Sequence, residues 1–184
     1  MKKYLRGCDE KNNPNELENR PSLCLLKDKP DLVGVEVGVR WGCNALRMLL
    51  HLNIKCLYLV DPYKPFPVPK GGLWMNGRQD ICDQYFDIAK YNLEGFNNIV
   101  WMLDFSYNII DLIPDDIDFV YIDGDHRYEA VIKDINLFYP KLKKGGLLAG
   151  HDYTSTPSVT NAVNDIFEGF VESAGDDWWI WKKD

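Results

Sequence analysis

The chain has 184 residues, 46% of them hydrophobic and 27% charged, the make-up of one globular domain large enough to bury a continuous core. Its net charge of -7 and pI near 5 exclude a nucleic-acid backbone or an anionic membrane as the expected partner. No run approaches membrane-spanning length and no apolar stretch follows Met1-Lys2-Lys3, so the expected compartment is the cytoplasm.

The first twenty residues, including "DEKNNPNELENRP", are polar and broken by Pro14 and Pro21. They read as a flexible arm or lid over residues 1–21, ahead of one domain over residues 22–184. A short helix is expected over 22–27. The Val-rich run "LVGVEVG" at 32–38 predicts a first strand, and "NALRMLLHL" at 44–52 a helix with Leu46, Leu49 and Leu50 on one face. "KCLYLV" at 55–60 is a second strand. Then comes "PYKPFPVPKGGLWMNGRQ" at 62–79, whose prolines and glycines exclude a helix or central strand; so long a loop in a compact domain is usually functional.

"DQYFDIAKYNL" predicts a helix, "NIVWML" at 98–103 a third strand, and "SYNIIDLI" a short helix with Ser106 as N-cap. "IDFVYI" at 117–122 is the fourth strand, and "YEAVIKDINLFY" a helix burying Val131, Ile135 and Phe138. Lys144-Gly145-Gly146 turns into a fifth strand, "GLLAG", followed by the helix "SVTNAVNDIFEGF" and the aromatic tail "DDWWIWKKD". Continuous apolar strands alternating with amphipathic helices imply a parallel sheet covered on both faces.

The five cysteines, Cys8, Cys24, Cys43, Cys56 and Cys82, are odd in number and form no C-x-x-C pair, so reduced, mostly buried thiols are expected.

In an open α/β sheet, ligands bind beyond the carboxyl ends of the strands. Here each strand delivers an acid to that edge: Glu36 near the end of the first, then Asp61, Asp104, Asp123 with Asp125 and His126, and Asp152 preceded by His151. No phosphate loop G-x-x-x-x-G-K-[ST] is present, and E-x-G-x-x-x-G replaces the dinucleotide pattern G-x-G-x-x-G. A carboxylate two residues before the first glycine repels a pyrophosphate and suits an ammonium group.

The segments "VEVGVRWG", "LYLVDPY", "MLDFS" and "FVYIDGDHRYEAVIKDINLFYPKLKKGGLLAGHDY" resemble class I S-adenosylmethionine-dependent methyltransferases, in particular a compact group with D-G-D-H after the fourth strand and A-G-H-D-Y at the fifth. The resemblance covers about residues 32–183. It implies a Rossmann-like, doubly wound, seven-stranded, mostly parallel sheet, with the "WWIW" segment as the antiparallel last strand buried on both faces. It also implies S-adenosyl-L-methionine as cofactor, with Glu36, Gly38 and Gly42 around its methionine end and the first loop. Asp61 would take the ribose hydroxyls, and Asp104 and Phe105 the adenine; Asp123 stands close to the cofactor.

In related metal-dependent O-methyltransferases, acids after strands four and five hold Mg²⁺, and a neighbouring acid serves as base. Mapped here, Asp123 and Asp152 match ligands and Asp125 the base. His151 departs from the pattern, because imidazole prefers Zn²⁺ or Mn²⁺ to Mg²⁺. Three roles stay open for it: ligand with Asp123 and Asp152, metal-free general base, or a hydrogen bond at a strand end. His126 converges on the same edge, while His51 is expected to be structural. Trp41, Trp74 and Arg78 are candidate walls for a small-molecule acceptor, which the resemblance to sugar O-methyltransferases implies to be a sugar; for Trp41, helix packing weighs equally. The oligomeric state is open. The rival readings are a non-catalytic cofactor-binding module and, less well matched, a nicotinamide-dependent oxidoreductase.

Overall fold

A computed structural model describes residues 7–8, 13–66 and 74–183. Seven strands form one sheet in the order β3-β2-β1-β4-β5-β7-β6. They are β1 (Leu32–Val37), β2 (Ile54–Val60), β3 (Ile99–Met102), β4 (Ile117–Ile122), β5 (Leu142–Gly150), β6 (Glu172–Ala174) and β7 (Asp177–Trp181). The helices are α1 (Pro21–Cys24), α2 (Cys43–His51), α3 (Gln79–Asn92), α4 (Ser106–Ile109), α5 (Tyr128–Phe138) and α6 (Pro157–Phe167).

The pairs β1–β2, β1–β4, β2–β3 and β4–β5 are parallel, while β7 runs antiparallel to β5 and β6. The chain winds outward from β1 through β2 to β3, then restarts on the other side with β4. Strand order therefore reverses between β1 and β4, where loops diverge and leave a crevice.

Alternation along each strand divides the core in two. Leu57, Leu59, Phe119, Leu147 and Trp179 pack with Leu23, Met48 and Ala89 on one face. Val35, Val37, Val120, Ile122 and Trp178 pack with Val131, Ile135, Phe138 and Val163 on the other. Gly34 is required at the first of these interfaces, since a Cβ there would lie 2.2 Å from the Phe119 ring. The aromatic tail is the inserted strand expected of it: Trp178 is wholly buried, and β7 lies between β5 and β6. Burial of a large apolar side chain contributes about 1.5–3 kcal/mol, which fastens the tail to the sheet.

Two local expectations change. Ser106 is not the N-cap of α4; Phe105 takes that position, and the Ser106 hydroxyl donates to Asp134 Oδ1 at 2.5 Å. The fifth strand begins earlier, at Leu142, with an irregular register through the glycine pair and Gly145 at φ 69°. The exposed edge strand β6 carries no alternation that would announce it.

From Asn13 onward the arm is pinned to α2: Arg47 donates from Nε to Glu16 O and from Nη2 to Asn13 O, each at 3.0 Å, and His51 Nε2 lies 3.1 Å from Pro14 O. Leu17 completes the attachment by burial in the core. The structural role expected of His51 is this contact.

The cysteine expectation is also corrected, because Cys8 and Cys43 form a disulfide. Their Cα atoms lie 5.9 Å apart across a sequence separation of 35, a proximity created by packing of the arm. Cys24, Cys56 and Cys82 are free thiols. The bridge removes the reduced-cysteine argument that accompanied a cytoplasmic placement. Among the described residues, no helix is long and apolar enough to cross a membrane.

Candidate active site

The carboxyl ends of β1, β2 and β4 open onto a groove of about 1380 Å³. Glu36, Gly38, Asp61, Phe105, Asp123 and His126 all line it. Its first wall is the turn from β1 into α2. Gly38 has φ 88°, and a Cβ on it would stand 2.1 Å from the Asp123 carbonyl oxygen, so only glycine lets the β1 and β4 loops touch. Gly42 has φ 73° at the N-cap of α2.

Glu36 is 1% exposed; its Oε1 accepts from Asn44 Nδ2 at 3.0 Å, while its Oε2 is buried without a partner. Burial pushes this carboxyl well above its usual range. A positively charged group in the groove would restore the ionised form and complete its hydrogen bonding. The unmatched oxygen therefore fits the ammonium of an amino-acid ligand.

Asp61 organises the same turn. Its Oδ2 accepts from Val39 N at 3.0 Å and Arg40 N at 2.9 Å, and its Oδ1 from Tyr63 N at 2.8 Å. Burial raises its pKa against those three donors. A carboxylate offers about four acceptor sites, so capacity remains for a ligand hydroxyl. Arg40 and Tyr63 hold φ of 51° and 44°, backbone strain of the kind that collects at ligand sites. The Tyr63 hydroxyl ties them together by donating to Arg40 O at 2.9 Å.

Phe105 lines the groove and stacks on Tyr107 with ring centroids 5.4 Å apart. Asp104, in contrast, is not among the groove residues. Its Oδ1 accepts from Phe105 N at 2.8 Å and Asn108 Nδ2 at 3.1 Å, and these donors lower its pKa.

Beyond Asp123, the β4 and β5 loops bring together four residues. Asp123, His151 and Asp152 offer ligand atoms that all lie within 4.8 Å of one another. His126 Nε2 stands 3.0 Å from Asp152 Oδ2 and 3.8 Å from Asp123 Oδ1, and His151 Nδ1 stands 3.3 Å from Asp152 Oδ2. Asp152 adopts φ 60° and accepts from Ser155 Oγ at 3.1 Å through Oδ1. Burial works against charge on both imidazoles, but Asp123 and Asp152 outweigh it and raise their pKa values. His151 faces a small adjoining space that shares Asp123 and His126 with the groove.

Asp125 lines the groove but is engaged by Arg127. Its Oδ2 accepts from Arg127 Nε at 2.8 Å and Nη2 at 2.5 Å, and its Oδ1 from Arg127 N at 3.0 Å. Trp41 lines the groove while packing edge-on against Tyr85 at 5.2 Å. Arg78 is not among the groove residues; it is exposed and paired with Asp80 at 2.5 Å. The Trp74 side chain lies outside the described residues.

Arg20, Asn44 and Tyr63 were not singled out from sequence, although all three line the groove. Asn44, two positions past the second glycine on α2, had a usable signal; Arg20 had none, since it reaches the site only through packing of the arm.

A family model described as a methyltransferase domain matches residues 35–153. A relative, the uncharacterized protein R132 of Acanthamoeba polyphaga mimivirus, is 34% identical over 158 residues, 82% of this chain. The chain spans 64% of that relative's length. Two solved structures share the fold. One is a putative methyltransferase, SMU.1697c from Streptococcus mutans in complex with SAH: TM-score 0.65, 15% identity, 88% of this chain and 96% of that one. The other is the O-methyltransferase NovP: TM-score 0.59, 17% identity, 95% of this chain and 78% of that one. Sheet order, the glycine turn after β1 and the match over residues 35–153 agree: the chain belongs to the methyltransferase-domain family.

Proposed function

We propose that the protein binds S-adenosyl-L-methionine in the groove and methylates a hydroxyl of a small molecule. One observation carries the reading: the unmatched Oε2 of Glu36 and the His126–Asp152 pair belong to one strand-edge site. The bound cofactor supplies an electrophilic methyl group for in-line displacement. The protein's task is then to hold the acceptor oxygen in line and remove its proton.

Glu36 holds the ammonium end, Gly38 and Gly42 admit the cofactor close to the backbone, and Asp61 takes ribose hydroxyls. Phe105, which lines the groove, supports the adenine, and Asp104 holds Phe105 in place by accepting from its N–H. His126 is better placed than Asp125 to take the acceptor proton, because both Asp125 oxygens are occupied by Arg127. With Nε2–H donated to Asp152, the imidazole keeps Nδ1 as its proton acceptor.

Two carboxylates and an imidazole fit a divalent ion of the Mn²⁺ or Zn²⁺ type better than Mg²⁺. Asp123, His151 and Asp152 would hold it, and it would lower the pKa of the acceptor hydroxyl. A metal-free reading is favoured by the direct His126–Asp152 contact, which orients a general base without an ion. A sugar acceptor rests on family resemblance alone.

Calorimetric titration of metal-stripped protein with S-adenosylhomocysteine tests the core of the reading. Micromolar binding, lost in Glu36→Ala, is expected; absence of binding in the wild type refutes it. Repeating the titration with Mg²⁺, Mn²⁺ or Zn²⁺ separates the metal-assisted from the metal-free form.

A further inference from the structure

Arg20 is not explained by the strand-edge pattern. It comes from the segment just before α1, yet it lines the same groove as Glu36 and is 6% exposed. A guanidinium that deep is costly unless anions surround it. Its Nη1 donates to Asn19 O at 3.0 Å, and its Nε stands 4.0 Å from Asp177 Oδ1. Asp123 and Asp152 also favour its charge, against burial.

Sheet register relates Arg20 to Glu36. Glu36 pairs with Tyr121 across the parallel β1–β4 ladder, so the two side chains project to one face. The Tyr121 hydroxyl donates to Asp177 Oδ1 at 2.8 Å, and the Ser22 hydroxyl to Asp177 Oδ2 at 2.5 Å. These bonds anchor the segment carrying Arg20 over that face.

On the other side of Glu36, Asn44 Oδ1 accepts from Arg47 Nη1 at 2.7 Å. Arg47 donates from Nε and Nη2 to arm carbonyls and does not line the groove. Glu36 and Arg20 therefore both line the groove while more than nine-tenths buried, and the Glu36 carboxyl has an unmatched oxygen.

An α-amino acid carries the complementary pair, an ammonium and a carboxylate whose planar geometry suits an arginine fork. We propose that Arg20 binds the carboxylate of the cofactor's amino-acid end while Glu36 binds its ammonium, so that the arm forms part of the binding site. The inference rests on the cofactor reading above; its new element is Arg20.

The test compares two ligands that differ at that end. S-adenosylhomocysteine carries the amino acid; 5′-methylthioadenosine keeps the nucleoside and thioether and lacks it. Arg20→Gln is expected to weaken S-adenosylhomocysteine about 10–100-fold, the cost of a charge-assisted contact, and to leave 5′-methylthioadenosine within about twofold. Arg20→Lys, which keeps the charge without the fork, is expected to weaken S-adenosylhomocysteine by about fivefold or more, again selectively. It serves if Arg20→Gln fails to fold.

An unchanged S-adenosylhomocysteine affinity in the folded variant overturns the proposal. So does an equal loss for both ligands, which would mark Arg20 as structural support. A wild-type chain that binds both ligands equally well also overturns it, since the amino-acid end would then contribute nothing. If the wild type binds neither, the cofactor reading itself fails, an outcome distinct from the others.

Discussion

Nε2 of His126 lies 3.0 Å from Oδ2 of Asp152, so the loop after β4 and the loop after β5 meet through one proton. If His126 is the general base proposed above, this contact would set its imidazole tautomer. His126→Gln is expected to lower kcat by about 10²–10⁴-fold while S-adenosylhomocysteine affinity is retained. Asp152→Asn should behave alike, and the double variant should be little worse than the worse single one. Fully additive losses would show that the two residues do not act as a unit.

The Asp123, His151 and Asp152 donor set leads to a separate expectation. In metal-stripped protein, Mn²⁺ or Zn²⁺ should give a binding heat that Mg²⁺ does not match, and Asp123→Ala should remove it. Methyl transfer unchanged by chelation would leave the imidazole–carboxylate pair as the whole proton-handling apparatus.

Asp134 sets a pH dependence of stability. Burial raises its pKa from 3.8 to about 6, with the Ser106 hydroxyl pulling the other way. Between those values the folded chain keeps a proton that the unfolded chain has released. The stabilisation is thus fully present below about pH 4 and is lost as pH rises through about 6. Asp134→Asn retains an acceptor for Ser106 and cannot ionise, so at pH 8 it should exceed the wild type by about 1–3 kcal/mol. Urea midpoints at pH 4.5 and 8 check this; equal differences at both values would contradict it.

The Cys8–Cys43 bridge predicts that denatured, unreduced protein exposes three thiols to a thiol reagent rather than five. A loop closed over a separation of 35 residues should stabilise by about 2–4 kcal/mol, so Cys8→Ser should lower the denaturation midpoint accordingly. Five reactive thiols would mean the bridge does not form.

Gly38→Ala tests the approach of the β1 and β4 loops. The added methyl meets the Asp123 carbonyl at 2.1 Å, and φ is 88°. Cofactor affinity should fall at least tenfold, and stability by about 1–3 kcal/mol. A variant with wild-type affinity would remove the β1 turn from the proposed site.

Much of the architecture was legible because period-2 and period-3.6 patterns are local. The strand "IDFVYI" emptying into D-G-D-H gave both β4 and the position of Asp123 and His126 at the groove edge. Asp61 stood out for the same reason, by following β2 directly. The edge strand β6 was not legible, since an exposed three-residue strand carries no apolar alternation. Asp125 and Asp104 illustrate a different gap. Their places at the strand ends were readable, but their commitment to Arg127 and to Phe105 and Asn108 depends on where loop atoms settle.

By itself the sequence determined the alternation of strands and helices, the glycine turn after β1, and the row of acids at one sheet edge. All of these follow from residue type and short-range spacing. Only the tertiary structure decided that the arm is fastened by Arg47 and a disulfide, that Arg20 enters the groove, and that Asp152 lies between two imidazoles. Those relationships join residues tens of positions apart. They depend on how the two faces of the sheet pack, which no local pattern encodes.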